Sequence, residues 1–356
     1  MLREIRTPGY NLNFDTRTGI MARWGTTLEE DPDSCPLGPE IADIEISTVC
    51  HGIGVDMERR QPCSWCYKSN TGCGTNMSLE TFKRVFSRFP FILTQIAFGI
   101  GDIDGNPDLW NILKHCRDNG IIPNLTTNGM GVDDKTAKAL AAVCGAVAVS
   151  HYGIDAVCFD AVDRLTKAGL QQVNIHKLLS TQTYKSCFEL IDNIKTDPRL
   201  AKLRAVVFLL LKPKGTRNNY SPLASTAQYG ELLKYAMERG VSIGMDSCSA
   251  PMVLRTAPAK TIPFVEPCES TLFSIYVDVS GKAYPCSFTS GEPGWEKGVD
   301  LLPVEDFLGE VWNAPRFQTW RTALLASSKG CKGCAVQQHC RSCPVFPAIT
   351  LCKESK

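Results

Sequence analysis

Three cysteines stand in the stretch CHGIGVDMERRQPCSWC, at positions 50, 63 and 66. Cys63 and Cys66 flank Ser64 and Trp65 as a Cys-x-x-Cys pair, and twelve residues separate Cys50 from Cys63. Thiolates suit zinc or iron–sulfur clusters. A structural zinc ion takes four closed ligands, so three thiolates leave a coordination position open. A [4Fe–4S] cube otherwise takes four cysteines. With three, one iron stays free to bind something else, which is a catalytic arrangement. Cys63, Cys66 and Cys73 form a rival trio, but Cys50 directly follows the apolar, strand-like run IADIEIS and is the preferred third ligand.

Seven more cysteines follow position 260, at 268, 286, 331, 334, 340, 343 and 352. The segment CKGCAVQQHCRSC reads Cys-x2-Cys-x5-Cys-x2-Cys. Cys-x2-Cys pairs are also zinc-ribbon spacing, so two zinc sites, with His339 as a possible ligand, are the alternative for this tail. Not all 17 cysteines read as ligands. Cys116, Cys144, Cys158 and Cys187 sit singly in helix- or strand-like segments, as small buried hydrophobes do. Cys35 is isolated. His51, His115, His151 and His176 show no metal spacing; three of them, at 51, 151 and 176, lie near strand ends.

The chain has 356 residues and a net charge of +1. That length suits about two domains. No global field draws it to nucleic acid, an anionic membrane or an acidic partner. The N-terminus lacks the apolar core of a secretory signal. The densest apolar run, AVVFLLL at 205–211, is too short to span a bilayer. A cytoplasmic protein is therefore expected, and in a reducing compartment clustered thiols read as metal ligands rather than disulfides.

The segments that must position these cysteines alternate. Strand-like runs fall at 41–47, 93–100, 121–127, 145–150, 170–179, 203–211 and 241–245. Helix-like stretches between them repeat apolar residues at three and four. Ser78 is placed to cap the first helix, and Gly120, Gly169 and Gly240 to end three others. This alternation predicts βαβ units and a parallel sheet. Six or seven consecutive units fit a closed or partly closed barrel better than an open sheet, with ligand sites at the carboxyl ends of the strands. Cys50 lies there. The alternation stops near 246, where Pro, Gly, Ser and Cys become frequent. Three segments are expected: a loop-rich lead-in with an edge hairpin (1–40), a barrel (41–245) and a small irregular cysteine-rich unit (246–356).

On these residues the chain resembles the radical S-adenosylmethionine (SAM) superfamily, which carries Cys-x3-Cys-x2-Cys after the first strand of a partial (β/α)6 TIM-like barrel. The aromatic residue before Cys66 agrees, whereas the spacing Cys50-x12-Cys63 is nine residues longer. An insert can loop out because closure cost grows slowly with length. GIGDIDGNP resembles the family's Gly-Gly-Glu-Pro element, with Gly101 and Asp102 in the Gly-Glu positions and Ile103 in place of Pro. LTTNG (125–129) is similar to its Thr-Asn-Gly ending, and VSHYG (149–153) to its Val-Ser-x-x-Gly. The resemblance implies that Cys50, Cys63 and Cys66 hold a [4Fe–4S] cluster whose open iron takes SAM. Gly101, Asp102, Thr127, Asn128 and Ser150 are the implied SAM contacts. Reductive cleavage would give a 5′-deoxyadenosyl radical that takes a hydrogen atom from substrate.

The tail resembles the SPASM extension of that superfamily. Cys268 is followed by twelve residues, Gly281, four residues and Cys286, and then by the run Cys331, Cys334, Cys340, Cys343 and Cys352. The one departure is x2 rather than x3 before Cys343. The resemblance implies two auxiliary [4Fe–4S] clusters, for three in all. Cys331, Cys334, Cys340 and Cys352 would hold one. Cys268, Cys286 and Cys343 would hold the other, its fourth position taken by Cys248 or left open for substrate. An electron donor such as flavodoxin or ferredoxin is implied. Modification of a peptide, protein or amino-acid-like group is the expected reaction. Isomerisation, decarboxylation or oxidation of a small amino-acid- or nucleotide-linked metabolite is the alternative, and a zinc-stabilised binding module the non-enzymatic one. Two basic features stay open: the insert 52–62 as solvated loop, lid or arginine clamp, and KPKGTRNNY (212–220) as anion site or exposed turn.

Overall fold

A computed structural model of the chain describes residues 1–329, 331 and 333–351. The first segment is more ordered than a lead-in. Strands β1 (Leu2–Thr7), β2 (Tyr10–Asp15) and β3 (Met21–Trp24) form an antiparallel sheet of their own. The period of two explains it: Tyr10, Leu12 and Phe14 are buried on one face while Asn11 and Asn13 face away.

Glu40 ties this sheet to the body. Fully buried, it accepts hydrogen bonds from Tyr10 Oη (2.6 Å) and Arg23 Nη1 (2.9 Å). Arg23 also donates to Glu269 Oε1 (2.9 Å), and its guanidinium lies 3.5 Å from the Phe273 ring centroid. One buried carboxylate thus joins the N-terminal sheet to the C-terminal third. Glu40→Gln, which keeps the shape and removes the charge, is expected to cost about 2 kcal/mol in denaturant unfolding. A change within about 0.5 kcal/mol would show that the network carries no stability.

The alternation expected after residue 40 is what the chain adopts. In order come β4 (Ile41–Glu45), α1 (Leu79–Phe86), β5 (Gln95–Gly99), α2 (Leu109–Asp118), β6 (Ile122–Thr127), α3 (Asp134–Val143) and β7 (Val147–His151). Then follow α4 (Asp155–Lys167), β8 (Val173–Leu179), α5 (Tyr184–Thr196), β9 (Ala205–Leu210), α6 (Thr226–Glu238) and β10 (Ile243–Met245). Strands β4 to β10 are parallel and lie side by side in chain order. Ser78 caps α1 by accepting from Thr81 N, and Gly120, Gly169 and Gly240 take positive φ where the chain leaves a helix for a strand. On β8, Val173, Ile175 and Leu179 are buried, while Asn174, His176 and Leu178 alternate with them. Cys116, Cys144, Cys158 and Cys187 are buried in this core, as expected of small hydrophobes.

The barrel is partial. Among the described residues its sheet is open, and β4 gains a further parallel neighbour, β11 (Ser274–Val277). Antiparallel β12 (Lys282–Tyr284) and β13 (Val299–Asp300) extend it to ten strands. Helices α7 (Ala250–Thr256) and α8 (Pro315–Ala326) complete the C-terminal third. The sheet therefore runs across residue 246, and Trp312 and Phe317 share one core with Phe98 and Phe208. Among the described residues no helix is long and apolar enough to cross a membrane.

Candidate active site: a thiol loop over the strand ends

Beyond β4 the chain runs through Ser47 and Val49, each held by a single bridge to the loop that returns before α1 (Asn76 and Thr71), and delivers Cys50 to the rim. Cys50 N donates to Thr71 O at 2.9 Å. The Cys-x-x-Cys pair sits in a tight turn, with Cys66 N reaching Cys63 O at 3.3 Å and Ser69 N reaching Cys66 O at 3.0 Å. The three thiols act on one another. Burial pushes Cys50 up to about 11, with Asp102 and Cys66 adding to it. Burial pushes Cys63 up to about 12, with Cys50 and Cys66 adding to it. Cys73, by contrast, is exposed.

The thiols are gathered without converging on a point. Among the described residues no three His, Cys, Asp or Glu side chains close tightly enough around one metal ion. A cube binds each thiolate at a different corner iron and accepts a wider spread. Binding a metal cluster would remove the protons that Cys50 and Cys63 otherwise hold firmly.

The ends of β5 and β6 join this loop. A Cβ at Gly101 would lie 2.4 Å from Cys50 Sγ, so only glycine lets the two segments approach. Asp102 is 1% exposed, and its carboxylate is a hub. Its Oδ2 accepts from His51 N (2.8 Å) and lies 2.7 Å from His51 Nδ1. Oδ1 accepts from Asn128 Nδ2 (2.8 Å), which also donates to Gly52 O (3.1 Å). Thr127 Oγ1 donates to Gly101 O at 3.1 Å. Gly101, Asp102, Thr127 and Asn128 thus meet around Cys50. Ser150 is buried one strand further on, two residues before Tyr152. Tyr152 lies 5.8 Å from the Trp65 ring, and Tyr220 stacks on Trp65 at 4.9 Å.

The insert folds back over this hub. Ile53 and Gln61 exchange two backbone hydrogen bonds of 3.1 and 3.0 Å, which makes 53–61 a hairpin. Gly52, at φ +86, is needed at its base, since a Cβ there would meet Gln61 O at 1.9 Å. The hairpin carries Arg60 inward: its side chain is 12% exposed, and Nη1 stands 3.2 Å from Asp102 Oδ2 without the alignment of a hydrogen bond. Asp56 and Arg59 pair with each other on the outside. The insert is thus a folded cap with one arginine turned in.

The basic stretch 212–220 does not present free cations. Lys212 pairs with Asp246, Lys214 with Glu292 at 2.6 Å, and Arg217 donates to Ser69 O and Asn70 O at 3.0 and 2.8 Å. It latches the thiol loop to the C-terminal third.

There a second set of thiols is gathered. Burial pushes Cys286 up to about 12, helped by Cys268 and Cys343, and pushes Cys268 up to about 11, helped by Cys343. Cys248 belongs to this set: burial raises it well above the usual thiol range, Lys212 opposes, and Cys268 and Cys343 add to the rise. Cys331, Cys334 and Cys340 line one cavity with Arg255, Val336 and Thr350. Cys352 lies outside the described residues. The links from Arg60 to Asp102 and from Tyr220 to Trp65 had no sequence signal beyond an arginine in a loop and an aromatic after a strand.

No protein-family model and no curated protein matches the chain by sequence. Solved structures match its fold. SuiB of Streptococcus suis bound to S-adenosylmethionine superposes at TM-score 0.65 and 15% identity, over 90% of this chain and 76% of SuiB. SuiB bound to the precursor peptide SuiA gives 0.66 and 15%, over 90% and 74%. anSMEcpe with bound AdoMet and Cp18Cys peptide gives 0.59 and 16%, over 89% and 91%. Over most of its length the chain therefore has the α/β fold of SuiB and anSMEcpe, two proteins that bind S-adenosylmethionine.

Proposed function

We propose that the chain is a radical SAM enzyme that modifies a peptide or protein. The observation that carries this reading is the meeting of three half-buried thiols with the Gly101–Asp102 and Thr127–Asn128 strand ends. They meet at the carboxyl side of a parallel sheet whose fold SAM-binding proteins share. In this reading Cys50, Cys63 and Cys66 hold a [4Fe–4S] cluster, and Gly101, Asp102, Thr127, Asn128 and Ser150 surround SAM. The cluster and SAM supply the difficult chemistry, one-electron cleavage to a 5′-deoxyadenosyl radical and hydrogen abstraction. The chain's own part is to hold the thiols under burial, to order the rim through Asp102, and to cap it with the 53–61 hairpin against water.

Cys248, Cys268, Cys286 and Cys343 are assigned to one auxiliary cluster, and Cys331, Cys334, Cys340 and Cys352 to another. Residues 1–40, 41–245 and 246–356 serve as lead-in sheet, radical core and auxiliary-cluster unit. The peptide class is supported by the bound peptides of SuiB and anSMEcpe. A small flavodoxin- or ferredoxin-type protein would supply the electron.

Protein purified without air should be brown and hold about twelve irons, four per cluster. With dithionite it should convert SAM to 5′-deoxyadenosine. Colourless, zinc-rich protein without SAM cleavage would overturn the reading in favour of a zinc-stabilised module.

A further inference from the structure

Alternate residues of each barrel strand face inward. On β4, Ala42 and Ile44 pack in the core beneath the helices, so Asp43 points into the lumen. On β5 and β6 the residues alternating with core Ile96, Phe98 and Leu125 are Ala97, Gly99, Asn124 and Thr126. A filled barrel would place bulky branched side chains at such positions. Here they are small or polar, and the lumen keeps room: Asp43 and Gly99 are exposed although strands and loops surround them. The surrounding strands and loops push the Asp43 carboxyl up to about 6 by desolvation. The room continues toward the thiol loop. Glu45, one step along the same face of β4, lines a polar cavity of about 240 Å³ together with Tyr67, Lys68, Lys214, Ser287 and Ser290. The Tyr67 phenol senses both Glu45 and Asp43.

The charges here do not balance. Lys68 pairs with Glu45 at 3.4 Å, Lys214 with Glu292 at 2.6 Å, and Lys212 with Asp246. Arg217 is turned onto backbone carbonyls of the thiol loop. His176, alternating with the buried residues of β8, is pushed down to about 4 by burial and stays neutral. Asp43 has no hydrogen-bond or ion-pair partner among the described residues. A carboxylate that lines the lumen without a counter-ion leaves a negative charge unmatched, and a site that meets its ligand with such a group is short of one cation.

We propose that Asp43 is the counter-ion for a cationic group of the substrate, an ammonium or guanidinium held in the barrel lumen. This rests on the reading above that the lumen faces a radical centre, and it narrows the substrate to a peptide or amino-acid-like molecule carrying a basic side chain or a free amine there. Asp43 then sets specificity by charge, since a neutral group of the same shape leaves the carboxylate unpaired.

The test uses the full chain with its clusters assembled and three small probes: n-butylguanidinium, n-butylammonium and neutral n-butylurea. Their binding is measured by titration calorimetry to the native chain and to Asp43→Asn. The native chain should bind one of the cations at least about tenfold more tightly than the urea, about 1.4 kcal/mol, and Asp43→Asn should lose that preference. Guanidinium preference would indicate an arginine-type group, ammonium preference a lysine-type group or free amine. Absence of any cation preference, or a preference that survives in Asp43→Asn, would overturn the inference. Thermal unfolding guards against a purely structural role: D43N should melt at the same temperature or higher, and a clear fall would count against the proposal. Iron content and SAM cleavage of the native chain are read separately. If those fail, the functional reading falls; if they hold and the cation preference is missing, only this inference falls.

Discussion

Cys63→Ala should abolish SAM cleavage while leaving a folded, still brown protein. Cys63 is the thiol on which both other members of the trio act. Its loss leaves Cys50 and Cys66, and two thiolates do not retain a cube that three barely complete. Iron should fall from about twelve to about eight per chain, since the C-terminal thiols are gathered separately. Formation of 5′-deoxyadenosine should drop by at least about 100-fold, more than loss of an outer-shell partner typically costs a metal site. Cys73→Ala is the matched control. That thiol is exposed, and its loss should change neither iron nor cleavage. Were the two results exchanged, the third ligand would have to be reassigned.

Asp102→Ala is expected to damage both stability and SAM affinity. The carboxylate is 1% exposed and serves His51 N, Asn128 Nδ2 and the Arg60 guanidinium together. Removing it leaves a mostly buried guanidinium without a counter-charge, His51 N without its acceptor, and Asn128 Nδ2 with Gly52 O alone. Breaking one side of a buried pair costs about 3 kcal/mol or more, readable in denaturant unfolding. The hairpin 53–61 should then detach from the β5 and β6 ends, and SAM affinity in the unreduced, cluster-loaded protein should fall by about 100-fold. Asp102→Asn separates the contributions. It keeps an acceptor for His51 N but not the charge that faces Arg60, so its loss of stability should be the smaller. Equal stability of all three proteins would show that the hub is not what orders the rim.

Much of this was legible before any coordinates. Apolar repeats at two and at three-and-four located seven strands and six helices, because one-sided burial imposes those periods. Ser78, Gly120, Gly169 and Gly240 marked element ends through local backbone chemistry. The N-terminal sheet carries a weaker signal: Tyr10, Leu12 and Phe14 alternate, yet the run is short and a third strand at 21–24 has no such pattern.

Spacing along the chain determined which cysteines pair as Cys-x-x-Cys, which stand alone in the core, and where the parallel strands end. Those properties depend on neighbours within a turn or a strand. Tertiary structure alone decided that Cys248 joins Cys268 and Cys343, that Arg60 turns onto Asp102, that the basic stretch 212–220 is consumed by internal pairs, and that Asp43 faces an open lumen with no partner. Periodicity reports that a face is covered, not which distant segment covers it. Lys68 and Tyr276 touch across 208 residues of chain, and only the pairing of β11 with β4 brings them together.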